Sequence, residues 1–193
     1  MRKTQEEICE LNVKLLLACR NNNFLKAKEA IENGADVNFK FPVKSEGKGF
    51  NTETYKMPLL ISIEPDHEKI VELLLKNNAN PNVRDHNNRT PLMYSCGKGL
   101  LLTSELLVQY KANINAINEH GREIFDWSPL TWGIRSHVPK IVYFLLEKEV
   151  IVDKRAYEFA KSEKCICTDR NYMNAKMILE FIQKYIITHP IKK

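Results

Sequence analysis

Residues 57–82 and 90–115 repeat one pattern without a gap. The first copy runs Met57-Pro58-Leu59-Leu60, then Ile70-Val71-Glu72-Leu73-Leu74-Leu75, then Asn78-Ala79-Asn80-Pro81-Asn82. The second runs Thr90-Pro91-Leu92-Met93, then Glu105-Leu106-Leu107-Val108, then Lys111-Ala112-Asn113-Ile114-Asn115, offset by 33 residues (57 to 90). Two further copies flank them. Val13-Lys14-Leu15-Leu16 leads to Gly34-Ala35-Asp36-Val37-Asn38, and Ser128-Pro129-Leu130-Thr131 leads through Ile141-Val142-Tyr143-Phe144-Leu145-Leu146 to Glu149. In all four copies 21 residues separate the opening position from the closing one: 13 to 34, 57 to 78, 90 to 111 and 128 to 149. Only the connections vary, with copies offset by 44 residues (13 to 57) and 38 residues (90 to 128) beside the gap-free 33. A unit fixed inside and variable between copies is the mark of a repeat array, in which each unit leaves an apolar face for its neighbour to cover.

Local chemistry turns each unit into a helix pair. Pro58, Pro91 and Pro129 suit the first turn of a helix, where a missing N–H costs nothing. Thr90 and Ser128 are natural N-caps just before them. Ile70, Val71, Leu74 and Leu75 form a stripe at helical spacing on the second segment. Gly34, and Asn78 in its place, suit the left-handed residue that ends a helix. These signals predict helices over 5–20 and 24–33, 58–64 and 68–77, 91–97 and 101–110, and 129–135 and 139–148. Beyond Asp153 the pattern fades. Arg155 to Ala160 reads as a shortened first helix, and Asn171 to Ile187 as an amphipathic closing helix over 171–187.

The 33-residue period opened by T-P-L resembles the ankyrin repeat. The resemblance implies an all-α solenoid of stacked helix-turn-helix units with projecting β-hairpin-like fingers, as one domain over 1–193. The repeats fall at about 5–38, 57–82, 84–115 and 118–153, with a degenerate C-terminal helical cap at about 154–188. The family's histidine in T-P-L-H is absent from every copy; Leu16, Leu60, Met93 and Thr131 stand there.

Composition narrows the function classes. The chain has 193 residues, 44% of them hydrophobic, enough for one ordinary core. Its apolar runs are shorter than a membrane span, and the first residues lack a signal-peptide core; a cytoplasmic protein is expected. The five cysteines read as free thiols. Cys19 and Cys96 take a small-residue position where burial is favoured, and the Cys165-x-Cys167 pair lacks two more ligands at zinc-site spacing. No G-x-S-x-G, H-E-x-x-H, phosphate loop or dinucleotide fingerprint occurs. Gly47-Lys48-Gly49 reads as turn chemistry, and Glu119, His120 and Asp126 as solvated finger residues. No catalytic residue, metal or cofactor is expected. The net charge of +5 is concentrated in residues 161–193, which hold seven Lys/Arg against three Asp/Glu. Those charges alternate with apolar residues and carry no stacking platform, so neither nucleic acid nor a membrane is expected as a partner.

Ankyrin proteins generally bind other proteins through finger tips and the concave face of the first helices. Carried onto this chain, that surface comprises Arg20 and Asn21 from copy one, and Glu53, Thr54, Lys56 and Glu64 from copy two. Copy three supplies His86, Asn87, Arg89 and Lys98; copy four supplies Phe125, Trp127 and Arg135. Phe41 and Phe50 join them, because the first finger is lengthened by a segment carrying three phenylalanines (39–50) and large aromatics anchor interfaces. The reading is a monomeric, non-enzymatic module for a protein partner of unknown identity. The alternatives are an inhibitor or immunity-type protein that occludes an active site, and a basic-surface binder of nucleic acid or membrane. High Lys, Asn and Ile content fits an AT-rich genome, compatible with a viral or intracellular bacterial protein that acts on host targets in the host cytosol or nucleus.

Overall fold

A computed structural model describes residues 4–43, 54–64, 66–118, 127–166 and 169–191. Ten helices are found among them, in five pairs: α1 (Gln5–Arg20) with α2 (Phe24–Glu32), α3 (Pro58–Ile63) with α4 (Glu68–Lys76), α5 (Pro91–Gly97) with α6 (Leu101–Gln109), α7 (Pro129–Arg135) with α8 (Pro139–Glu147), and α9 (Lys154–Ile166) with α10 (Asp169–Thr188). First helices pack on first helices and second on second, in chain order, so the chain forms a two-layer solenoid. Between α2 and α3 the chain makes a two-stranded antiparallel hairpin, β1 (Phe41–Val43) and β2 (Thr54–Lys56), with Phe41 opposite Lys56.

The helix boundaries follow from their caps. Thr90 and Ser128 each accept a hydrogen bond from the backbone N–H three residues on, at 3.3 Å, which satisfies a donor that no helical carbonyl can reach. Two left-handed residues close the helices of every copy. Asn22, Asp66, Gly99 and His137 turn the first helix into the second; Gly34, Asn78, Lys111 and Glu149 end the second. After each end a backbone N–H reaches back over the last turn, as Ala79 N–H does to the Leu74 carbonyl (2.9 Å) and Ala112 N–H to the Leu107 carbonyl (2.9 Å). The constant 21-residue spacing is thus the length of two helices closed by two left-handed turns.

Between copies the fingers are linked by asparagines. Asn38 Nδ2 donates to the Asn78 carbonyl (3.1 Å) while its Oδ1 accepts from Asn80 N–H (2.7 Å). Asn82 does the same one copy later, donating to the Lys111 carbonyl (3.1 Å) and accepting from Asn113 N–H (2.7 Å). Asn115 continues the series by accepting from Ile151 N–H (2.8 Å). Each link fixes the rise from one finger to the next.

The array extends further than the sequence pattern indicates. The segment expected as a shortened first helix is the thirteen-residue α9, and the closing helix begins at Asp169. Asp153 caps α9 by accepting from Ala156 N–H (2.7 Å), as Thr90 caps α5. Asn174 Nδ2 donates to the His137 carbonyl (2.9 Å), tying α10 to the previous copy. The last pair therefore takes the position of a fifth unit, although its sequence no longer spells the repeat.

One continuous core runs through the layers. Leu74 is fully buried within it, on the stripe of α4. Leu74→Ala should lower stability by roughly 2–5 kcal/mol through lost burial and a residual cavity, read from a denaturant melt. Lys76→Ala, at an exposed position paired only with Glu72, should leave the midpoint nearly unchanged. Equal midpoints for the two variants would contradict this packing.

Candidate functional site

Repeat register decides which side chains line the open side of the first helices. Four residues after the opening position of each copy stand Leu17, Ile61, Tyr94 and Trp132. Leu17 is half exposed and the other three are partly buried, so the row remains accessible while its flanks are packed. Three residues further on stand Arg20, Glu64, Gly97 and Arg135.

Beside this row the hairpin and the second finger enclose a groove of about 590 Å³. Arg20 enters from the end of α1, Tyr55 and Lys56 from β2, Ile61 from α3 and Glu64 from its C-cap, and His86 and Tyr94 from the second finger and α5. Asp85 organises the finger beneath it. Its Oδ1 accepts from the backbone N–H of Asn87 (2.9 Å) and of Arg89 (2.7 Å), and its Oδ2 from the Tyr94 hydroxyl (2.7 Å). Burial, and then the hydrogen bond to Asp85, push the Tyr94 phenol up to about 12. Tyr94 therefore stays a neutral donor that holds the finger on α5. The His86 ring is 2.9 Å from Asn87 Nδ2.

Further along the same face two arginines lie on an aromatic cluster. The Arg89 guanidinium is 5.2 Å from the Trp132 ring centre and 6.0 Å from that of Tyr94. The Arg135 guanidinium is 5.1 Å from the Trp127 ring and 5.8 Å from Trp132. The two indoles are 5.0 Å apart, and Phe159 of α9 meets Trp127 edge-on at 5.3 Å. Such cation–π contacts orient a guanidinium without neutralising it. Gly97 makes room for the cluster: a Cβ there would stand 2.7 Å from Trp132 Cε3.

The expected surface residues fall into distinct places. Arg20, Lys56, Glu64 and His86 meet in the groove. Lys98 and Asn21 are exposed at the ends of α5 and α1. Arg89 and Arg135 meet on Trp132, and Asn87 is tied to His86. Phe41 is half-buried against Phe39, with ring centres 6.4 Å apart. Trp127, counted with the expected binding surface, is instead only 8% exposed. Trp127 N–H donates to Asn118 Oδ1 (2.8 Å) and Asn118 N–H to the Trp127 carbonyl (3.1 Å), which draws the ring back onto the helices. Thr54 lies on β2. Phe50, Glu53 and Phe125 lie outside the described residues, as do Gly47-Lys48-Gly49, Glu119, His120 and Asp126. Tyr55, Ile61, Tyr94 and Trp132 are part of this surface and were missed; counting four residues from each repeat start would have found the last three.

Cys9, Cys19 and Cys96 are free thiols. Burial pushes Cys19 up to about 11 and Cys96 up to about 12, so both remain protonated. Among the described residues no group of three or more His, Cys, Asp or Glu side chains could hold a metal ion, and no helix is long and apolar enough to cross a membrane.

A methyl at position 97 would displace the indole that both arginines rest on. Gly97→Ala should therefore shift the tryptophan emission spectrum and cost about 1–3 kcal/mol, as overpacking does. An unchanged spectrum would show that Trp132 is not seated on α5.

Comparison with known proteins agrees with this architecture. The family described as Ankyrin repeats (3 copies) matches residues 15–118 and 59–157. Ankyrin repeat domain-containing protein 63 of Mus musculus is similar: 31% identical over 98 residues, 49% of this chain and 24% of that protein. The chain thus spans about a quarter of the relative's length. Ankyrin repeats are in general non-enzymatic protein–protein interaction modules, and by the stacked pairs, the regular turns and the family match this chain belongs to the ankyrin repeat family.

Proposed function

We propose that this chain is a non-enzymatic module that binds a protein partner on the face of its first helices and on the adjoining fingers. The observation that carries the reading is the groove between the hairpin and α3, which gathers Arg20, Lys56, Glu64 and His86 around the apolar and aromatic surface of Tyr55, Ile61 and Tyr94. Partly exposed aromatics ringed by charges have the composition of an interface centre. Phe41, Thr54 and Asn87 extend the surface along the fingers, and Asn21 and Lys98 along its edge; Phe50, Glu53 and Phe125 are counted with it from the sequence alone. On this reading the protein acts as a cytoplasmic monomer. The unpaired buried thiols Cys19 and Cys96 support a reducing compartment. The Lys-, Asn- and Ile-rich composition supports an origin in a virus or intracellular bacterium, with a host protein as target.

The test is capture from native cells by the wild-type chain and by two variants. Tyr55→Ala/Ile61→Ala should lose a partner that the wild type retains, with affinity reduced about thirtyfold, the effect of removing a hot spot of roughly 2 kcal/mol. The thermal melt should fall only modestly, since Tyr55 is exposed and Ile61 is partly buried against the core. Lys176→Glu/Lys184→Glu on the exposed face of α10 should keep the partner. If the α10 variant loses it and the groove variant does not, the basic terminal face is the binding surface, and the reading falls in favour of an electrostatic binder of nucleic acid or membrane.

A further inference from the structure

We infer that the Arg89–Trp132–Arg135 cluster is a carboxylate-recognition site, and that the partner segment taken on this face is an acidic peptide. The inference rests on the protein-binding reading above and adds the chemistry of what is bound. Two guanidiniums lie on one indole, Arg89 at 5.2 Å and Arg135 at 5.8 Å from its centre. Neither forms an ion pair among the described residues. Asp85, the nearest acidic group along the finger, already accepts from the Tyr94 hydroxyl and from two backbone N–H groups.

The second, independent observation is an excess of buried donors with no acceptor. Among the described residues, Arg89 Nε, Trp132 Nε1 and Trp127 Nε1 are shielded from solvent and have no hydrogen-bond partner. Trp127 is itself more than nine-tenths buried. A buried polar atom left unpaired costs free energy, and native structures leave few of them. Guanidiniums can only donate, so a group that docks on these two forks must be rich in acceptors, and their two positive charges favour an anion. A planar carboxylate fits the forked guanidinium. The neighbouring row of Tyr94 and Ile61 offers apolar contact to the residues between successive carboxylates of an extended chain. Arg20 and Lys56 add two more cations at the far end of the groove, against the carboxylates of Glu64 and of Asp85, the latter already engaged by Tyr94 and two backbone N–H groups.

Trp127 and Trp132 are the chain's two tryptophans, so intrinsic fluorescence reports on this site alone. The experiment selects a phage-displayed library of random 12-residue peptides on the full chain, then titrates the winning synthetic peptides into wild type and into Arg89→Gln/Arg135→Gln. The expected result is enrichment of Asp and Glu, a change in tryptophan emission on binding, affinity that falls with added salt, and a loss of about thirtyfold in the double variant, a typical effect of stripping a charged anchor from an interface. Both variant and wild type should show the same circular dichroism spectrum. Winning peptides without acidic enrichment, or bound equally by the double variant, would overturn the carboxylate assignment and leave the protein-binding reading intact. Failure to select any peptide would overturn it as well, while the partner-capture test with the groove variant judges the broader reading separately.

Discussion

A helix pair of this length cannot cover its own apolar stripe, and every other feature of the molecule follows from that constraint. Leu59, Leu74, Leu92, Leu107, Leu130 and Leu145 are sealed only because another pair lies against them. Stability is then close to a sum over units and over the contacts between neighbours. The direction of stacking is set by the asparagine links, which place each finger one step above the last at a distance the backbone hydrogen bonds dictate. The left-handed turns recur at the same two positions of every copy, so each new copy presents its side chains in the same register.

That regularity is what builds the candidate surface. Because the residue four places after the opening of each copy faces the open side, Ile61, Tyr94 and Trp132 line up although they are distant in the chain. The cluster on Trp132 needs three copies at once: Gly97 on α5 leaves the space, Trp132 on α7 fills it, and Phe159 on α9 backs the adjoining Trp127. Arg89 comes from the finger that Asp85 and Tyr94 hold in place. No single unit contains the site, so loosening a neighbouring interface should disturb it even where no surface residue changes.

The fold was legible because its signals are local. Thr90, Ser128, the three prolines and the left-handed positions each act within a few residues, and they place the helix ends to within a residue in α1 to α8. The last pair was harder to read. Asp153 carries the cap, but α9 lacks the proline and the leucine-rich stripe, and its place is fixed by contacts with α7 and α10 that no spacing within the chain reveals. The surface was legible in part for the same reason. Arg20, Lys56, Glu64 and His86 were placed by register alone and meet in one groove. Trp127 was misplaced because its position depends on a bridge to Asn118 and on rings from two other helices. The stacking of Arg89 and Arg135 on one indole is likewise a product of assembly between copies.

The open face of the first helices is the proposed functional surface. Hydrogen–deuterium exchange of the chain, free and bound to its native partner, tests it most directly. Added protection is expected over residues 54–64, 85–98 and 127–136, with the backbone of α6, α8 and α10 unchanged. Protection confined to those second helices, with the first helices and fingers unaffected, would contradict it.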